Sequence, residues 1–508
     1  MKYISMYIAS AALFGAASSF AVPDLDVIDR LEEPLAEHCT QQEINAISNV
    51  RRRFTFTFEC GRRLFDTRFN ILDGGGGNVG NGKRYSGVPR ADLNGSDQWA
   101  NHFPQRRSGP DGEACSDCHE EPLAGAGASG LDIVSDPLNS GNLSDFIQRN
   151  TTSMLGAGPL QLLAEEMTSE LIAIRERARR TACNNNRVVR ADLQTKGVEF
   201  GFVRVACNPR NDDTRRVAGV NDDLIIRPFG WKGNQMSLRS FNRGAGHNDI
   251  GVQAAELVGV GVDGDFDGVT NELFIGDMTG LAIYLAGQPR PVTRLELADL
   301  GLLQRFGQEP LRNGERASIR RGAADFRSVG CESCHRASMT IDNTIYSEPS
   351  QTVTHRDETF PSGLNPLSVG VNPNIPVSFD VTRDVIENRI RVGNQTVALG
   401  NLQRNSSGQG VLNLFGDLKR HEMGPELAEA IPDFGVGNST WITKELWGVG
   451  SNGPYLHDGR ASTLTEAIIA HGGEAAASQR SFLALSRSRQ NDIITFLNNL
   501  ILVREESN

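Results

Sequence analysis

Apolar residues recur with helical spacing in several stretches of the chain. GPLQLLAEEMTSELIAIRERARR (158–180), NLSDFIQRN (142–150), DMTGLAIYLAG (277–287) and QNDIITFLNNLILV (490–503) all carry it. Strict alternation is rarer. VEFGFVRVAC (198–207) has the β-rich pattern, with polar NPRNDD after it, and predicts a hairpin in a segment of roughly 183–230. LDGGGGNVGNGKRYSG (72–87) has no period and reads as an exposed loop. GQPRPVTR (287–294) follows a helical run with two prolines and suits a domain boundary. The pattern predicts a mainly α chain with one small β-hairpin insertion.

With 508 residues the chain is long enough for two or three domains, and 39% hydrophobic residues allow packed cores. The formal charge of −11 argues against nucleic acid, which calls for a basic patch. It suits a soluble protein, or one with a basic partner. The first residues, MKYISMYIASAALFGAASSFAVPD, combine Lys2, a short apolar run and small residues at Ser19 and Ala21. This reads as a secretory signal over 1–21, cleaved after Ala21. A membrane anchor is the lesser reading, because the run is short for a span. No other segment is apolar enough to cross a bilayer, so a periplasmic location without a transmembrane anchor is expected.

Export changes how the eight cysteines are read. Cys39, Cys60, Cys183 and Cys207 are expected to pair in an oxidising compartment. Local pairing favours Cys39–Cys60 and Cys183–Cys207, the second clasping the hairpin. Free buried thiols are the alternative. The other four cysteines stand in CSDCH (115–119) and CESCH (331–335). Cys-x-x-Cys-His fixes a c-type haem through two thioethers and supplies the adjacent His to the iron. A zinc site needs four ligands, and neither motif has a second Cys pair nearby. A redox dithiol needs no His. Two covalent haems c are therefore expected, on Cys115, Cys118 and His119 and on Cys331, Cys334 and His335. The motifs begin 216 residues apart, which suggests one haem per domain.

The ligand opposite each His separates electron carrier from catalyst, because an open iron can bind peroxide or oxygen. Met423, in LKRHEMGPEL, is the thioether chosen for the second haem, with His421 as the alternative. Most Met side chains simply fill cores. Separately, DGDFDGVTNE places Asp263, Asp265 and Asp267 at alternate positions before Gly268, as in a calcium loop. Phe274 stands at the twelfth position, so the loop is incomplete unless Glu272 substitutes. A solvated acidic turn is the plain alternative.

WITKELWGVGSNGPYLHDGRASTLTEAI (441–468) resembles the segment that bacterial di-haem cytochrome c peroxidases carry after their second haem. With HGGEA (471–475), RPFGWKG (227–233), GHNDIG (246–251) and DGDFDGVTNE, the chain resembles the di-haem oxidoreductase, putative peroxidase family. The resemblance implies two cytochrome c-like domains, a peroxidatic one over 22–290 and an electron-transfer one over 291–508. It implies that Met423 ligates the high-potential haem and that Trp231, followed by Gly233, relays electrons between the haems. Relatives with Tyr at the Met position oxidise tryptophans in a partner protein. The peroxidases place a distal Glu twenty residues beyond the bridging Trp, where this chain has Gly251. His247 is then the candidate acid–base, with Asp249 as orienter or substitute. A sixth-ligand role for His247 and a loop cap for Asp249 are the alternatives. His457 and Arg460, in PYLHDGR, suit a haem propionate.

The expected activity is reduction of hydrogen peroxide, or another small oxidant, with electrons from a small redox protein of cytochrome c or cupredoxin type. The alternatives are oxidation of an organic or protein substrate, as in the tryptophan-oxidising relatives or the di-haem rubber oxygenases, and pure electron carriage. A haem-bearing binding or sensor module is a third.

Overall fold

A computed structural model describes residues 33–78, 84–85, 106–107, 110–120, 123, 132–138, 140 and 142–505. The segment 1–21 that reads as a secretory signal, most of the Gly-rich loop after Asn78, and His102 lie outside the described residues.

Three helices and a hairpin make the frame of the larger core. Helix α1 (Val50–Asp66) starts at Asn49, whose side chain accepts from the Arg52 N–H. Its buried face, Phe54, Phe58, Leu64 and Phe65, follows the helical period. Helix α2 (Ala157–Asn185) is the longest, and its first half is buried almost all round. Helix α3 (Ile275–Ala286) is buried along its whole length. The crossing of α1 and α3 runs through two glycines. A Cβ on Gly61 would stand 2.0 Å from the Gly280 carbonyl oxygen, so any side chain there forces the helices apart. Strands β1 (Val189–Thr195) and β2 (Val198–Val205) pair antiparallel after α2. Both expected disulfides are formed. Cys39–Cys60 fastens the chain entry to α1, and Cys183–Cys207 fastens the end of α2 to the segment after β2.

A second apolar cluster joins helix α4 (Glu315–Ser328) to the C-terminal helices α5 (Leu464–Ile469), α6 (Ala476–Leu483) and α7 (Arg487–Leu497). Gly322 lets α4 approach α7 so closely that a Cβ would lie 1.9 Å from the Asp492 carbonyl oxygen. Arg321 and Ser318 on α4 both reach the Asp492 carboxylate. The helix ends just before Cys331.

The mainly α expectation is overturned. Among the described residues the strands form eight separate small sheets, seven two-stranded and one three-stranded. They are not confined to 183–230: Met339–Ile341, Ile345–Glu348, Val377–Asp380, Arg389–Val392 and Gln395–Ala398 lie beyond it, as do β3 (Arg420–Glu422) and β4 (Thr440–Ile442). Nor is NLSDFIQRN helical. Only Leu143–Asp145 makes a 3-10 turn, and Ile147–Asn150 pairs as a strand with Asp132–Ser135. That partner is supplied from more than ten residues away, so local periodicity could not report it. Long irregular stretches between short strands replace the compact helical domains expected of two cytochrome c-like units. No helix among the described residues is long and apolar enough to cross a membrane.

Candidate functional site

CESCH lies where α4 ends. Gly330 takes φ +92° and starts a 3-10 turn over Cys331–Ser333, and the His335 N–H closes on the Cys331 carbonyl. Cys331 and Cys334 are free thiols. They open on an apolar cavity with ≈ 1760 Å³ of empty space, its solvent mouth included. His335, Met423, Trp441, Trp447, His457 and His471 line it with them.

His335 Nδ1 lies 3.1 Å from the Phe415 carbonyl oxygen, so this nitrogen donates and Nε2 is left to bind a metal. Burial lowers its pKa to about 4, so the ring is neutral. The donor set fits a c-type haem: two free thiols, one oriented neutral imidazole and an apolar cradle. Cys334 also clusters with Asp417 and His421, three groups that could hold a metal ion, and Cys331 is no part of that cluster.

Two further candidate ligands share the cavity with His335. Met423 follows β3, which pairs with β4. His471 follows α5. Its Nδ1 lies 2.7 Å from the Ala467 carbonyl, again leaving Nε2, and its ring centroid is 6.4 Å from that of His335. Both rings line the cavity, so both would be available to hold one group bound there. The sequence reading assigned His471 no role. The available signal was a His closing a short helix just before Gly472 and Gly473. His421 is otherwise engaged. Its Nε2 lies 2.8 Å from Asp417 and its Nδ1 2.8 Å from Glu474. Although burial opposes the charge, Asp417 and Cys334 push its pKa up to about 11. Both nitrogens of a doubly bridged imidazolium are occupied.

Trp231, Trp441 and His457 form an aromatic wall of this cavity. Trp231 donates from Nε1 to the Asn150 carbonyl at 2.8 Å and sets its ring edge-on to His457. His457 stacks on Trp441, with centroids 3.9 Å apart. Lys232 is buried beneath Trp441, its Nζ 3.4 Å from the ring centroid. Three carbonyls, of Gly437, Asn438 and Thr440, hold that ammonium, and Glu429 stands 3.2 Å away. Burial still lowers the Lys232 pKa to about 8. Burial likewise lowers His457 to about 4. Arg460 is no part of the cavity wall and turns instead to Asp458 and the Glu426 carbonyl.

CSDCH forms a single helical turn, Cys115–Cys118. Asp117 caps it by accepting from the Glu113 and Ala114 N–H groups, at 2.9 and 3.0 Å. The thiols are free and sit three residues apart on the turn. Burial holds both near a pKa of about 12. Neither belongs to a group of metal-ligating side chains among the described residues. His119 packs against Phe65, with ring centroids 6.2 Å apart.

His247 and Asp249 lie on a one-turn π-helix, Gly246–Ile250, and His247 is buried. The charge of Asp249 is felt by both Cys115 and Cys118, so the structure brings Asp249 to the first motif. Its carbonyl accepts from the Asp111 and Gly112 N–H groups. Sequence reasoning missed Asp111. Burial and the neighbouring Asp249 push its carboxyl up to about 9, and burial raises Asp249 to about 7 against Arg107 and Arg106. Gly251 explains the absent distal Glu. It takes φ +85°, and a Cβ would lie 2.3 Å from the Gly76 carbonyl oxygen and 2.8 Å from Pro110. The close approach of 76 and 110 leaves no room for a side chain.

In the acidic loop, Asp263, Asp265 and Asp267 bring carboxylate oxygens within 4.8 Å of one another. Glu272 is outside that group, accepting from the Gln253 N–H at 2.7 Å, but burial with Asp265 and Asp267 raises its pKa to about 9. Of the histidines without assigned roles, His38 pairs with Asp277 at 2.6 Å and His355 with the Ile226 carbonyl at 3.2 Å.

Residues 400–500 match the family described as di-haem oxidoreductase, putative peroxidase. The matched span contains Met423, Trp441, His457 and His471, and it supports the family that the motifs resemble. No curated protein matches the chain.

Proposed function

Taking the di-haem oxidoreductase signature over residues 400–500 as premise, we propose that this chain is an exported di-haem peroxidase fed by a small redox protein. The observation that carries the reading is the cavity joining Cys331, Cys334 and the oriented His335 to the matched segment. Bound covalently at the two Cys pairs, haems would supply electron entry at the second site and peroxide reduction at the first. At the second, His335 would hold the iron together with His471, which is favoured by its ring separation, or with Met423, the competing thioether.

Trp231 serves as relay rather than Trp441. The Lys232 ammonium against the Trp441 face raises the cost of withdrawing an electron from that ring. Lys444 stands farther from the Trp231 face, at 5.8 Å. His457 faces the cavity as a neutral donor suited to a propionate, and Arg460 contributes through Asp458. At the first site, Asp249 with Asp111, and His247 beside them, move the proton between peroxide oxygens.

The test is the absorption spectrum of the holoprotein, oxidised and half-reduced, before and after stoichiometric hydrogen peroxide. Rapid bleaching and shift at one haem, reversed by a reduced cytochrome, is expected. Two low-spin haems unmoved by peroxide or cyanide in both states would reduce the protein to an electron carrier. One observation favours a second reading, oxidation of an organic or protein substrate. Gly251 excludes a carboxylate at the usual Glu position. An oxidised state that persists in the presence of reduced donors would select it.

Calcium at Asp263, Asp265 and Asp267 belongs to the same proposal. Adding millimolar Ca²⁺ to chelator-treated protein is expected to raise the Tm by several degrees. An Asp265→Asn variant should lose that response, and equal Tm values with and without Ca²⁺ would remove calcium from the picture.

A further inference from the structure

The chain as a whole is acidic, but α4, α6 and α7 beside the second site carry an excess of arginine. Residues 312–332 and 476–492 hold eight arginines against four carboxylates. Each of those carboxylates is already taken: Glu315 by Arg294, Asp325 by Arg489, Glu332 by Arg327 and Asp492 by Arg321. Arg320, Arg480 and Arg487 are exposed, and no carboxylate pairs with them among the described residues. Glu474, which also lines the cavity, is half exposed and pairs with His421 and the Glu422 N–H.

The position of these arginines is fixed by a seam. A Cβ on Gly330 would lie 2.8 Å from Ser478 Oγ, so the end of α4 touches the start of α6. Gly330, Cys331, Ser333, Ser478 and Gln479 line the cavity at that seam. Arg327 stands three residues before Gly330 and Arg480 two residues after Ser478, both exposed. Ile469 on α5 and Leu483 on α6 are exposed apolar residues of the same helices.

We propose that the α4–α6–α7 face is the docking surface of the electron donor, and that the donor is a small redox protein with carboxylates around its own metal edge. The inference rests on the di-haem reading above and names the partner's charge. It reverses what the net charge of −11 suggests, because steering is decided by the field at the contact face rather than by the sum over the chain. Free arginines attract the acidic rim, and Ile469 and Leu483 supply the small apolar contact of a short-lived complex. In each encounter the donor's metal is oxidised by one electron and the second site is reduced by one, with no proton or bond exchanged.

The experiment is stopped-flow reduction of the oxidised holoprotein at low ionic strength, by an acidic cupredoxin and by a basic cytochrome c of matched potential. The acidic donor should react at least ~10-fold faster and lose that advantage as salt is raised. Joint replacement Arg320→Glu, Arg480→Glu and Arg487→Glu should invert the preference. The same reversal at Arg190, Arg204 and Arg215, outside the α4–α6–α7 face, should leave it in place. A wild-type protein that prefers the basic donor, or a rim variant with unaltered preference, overturns the proposal. Dithionite separates the two layers. If it reduces the second haem normally, the failure belongs to the docking face alone. If no reducible haem is present, the di-haem reading fails and this inference with it.

Discussion

Replacing His471 by Met should move the reduction potential of the second haem upward and bring in the far-red band of a thioether–iron bond. Thioether ligation raises haem potentials, and axial-ligand identity spans ~0.8 V across proteins. The expectation follows from the imidazole pair at 6.4 Å, each ring pinned through Nδ1 to a carbonyl. Met423→Leu is the matching control. With His471 on the iron, this variant stays low-spin and its potential moves little, because only packing is lost. With Met423 on the iron, the same variant becomes high-spin and binds cyanide readily. His471→Ala gives the mirror result. A wild-type spectrum that already shows the thioether band, abolished in Met423→Leu, would return the ligand role to Met423. Both side chains line the cavity, and a haem that dithionite reduces normally in each variant shows that it has folded.

How much of this was legible beforehand differs by feature. Cys-x-x-Cys-His needs only adjacent residues, so both motifs were readable, and so were the disulfides, which close loops of local sequence. Helices α2, α3 and α7 carry enough periodic residues to announce themselves. The β structure does not. Strands of two to four residues, such as β3 and β4, are too short for alternation to show, and their pairing partners come from distant segments. At the second site the sequence supplied Met423 through its position. It could not supply His471, because the relevant facts are a ring distance and a carbonyl contact. Asp111 was invisible for the same reason. A lone Asp beside Gly112 reads as a turn, and only burial beside Asp249 makes it chemically distinct. Gly251 was read as a missing Glu. The structure shows it as a close backbone contact with Gly76 that no side chain could share.

Asp111 and Asp249 should make the protein lose stability as pH rises. Both carboxyls have folded-state pKa values above the ordinary 3.8, Asp249 at about 7 and Asp111 at about 9, in each case because burial disfavours the charge. A raised carboxyl stabilises fully below the unfolded value and loses that contribution up to the folded one. Asp249 therefore acts between about pH 4 and 7 and Asp111 on to about 9. Between pH 7 and 9 Asp111 alone should lower stability by about 1.4 kcal/mol per pH unit. Asp111→Asn should flatten that part of the curve, seen as a Tm that no longer falls across the interval. On the proposed peroxidase reading the same pair sets the chemistry. Near neutral pH Asp111 holds its proton while Asp249 is close to half ionised, so one acid and one base face the first Cys pair together. Asp249→Asn, which keeps shape but cannot exchange a proton, should slow the peroxide step by ~10²–10⁴-fold while leaving reduction of the second haem unaltered. If His247 is the working group instead, Asp249→Asn will react with peroxide at close to the wild-type rate and His247→Gln will carry the loss. Because the mutated atoms lie at the first site and the control reading is taken at the second, a folding defect would depress both rates and be told apart from either outcome.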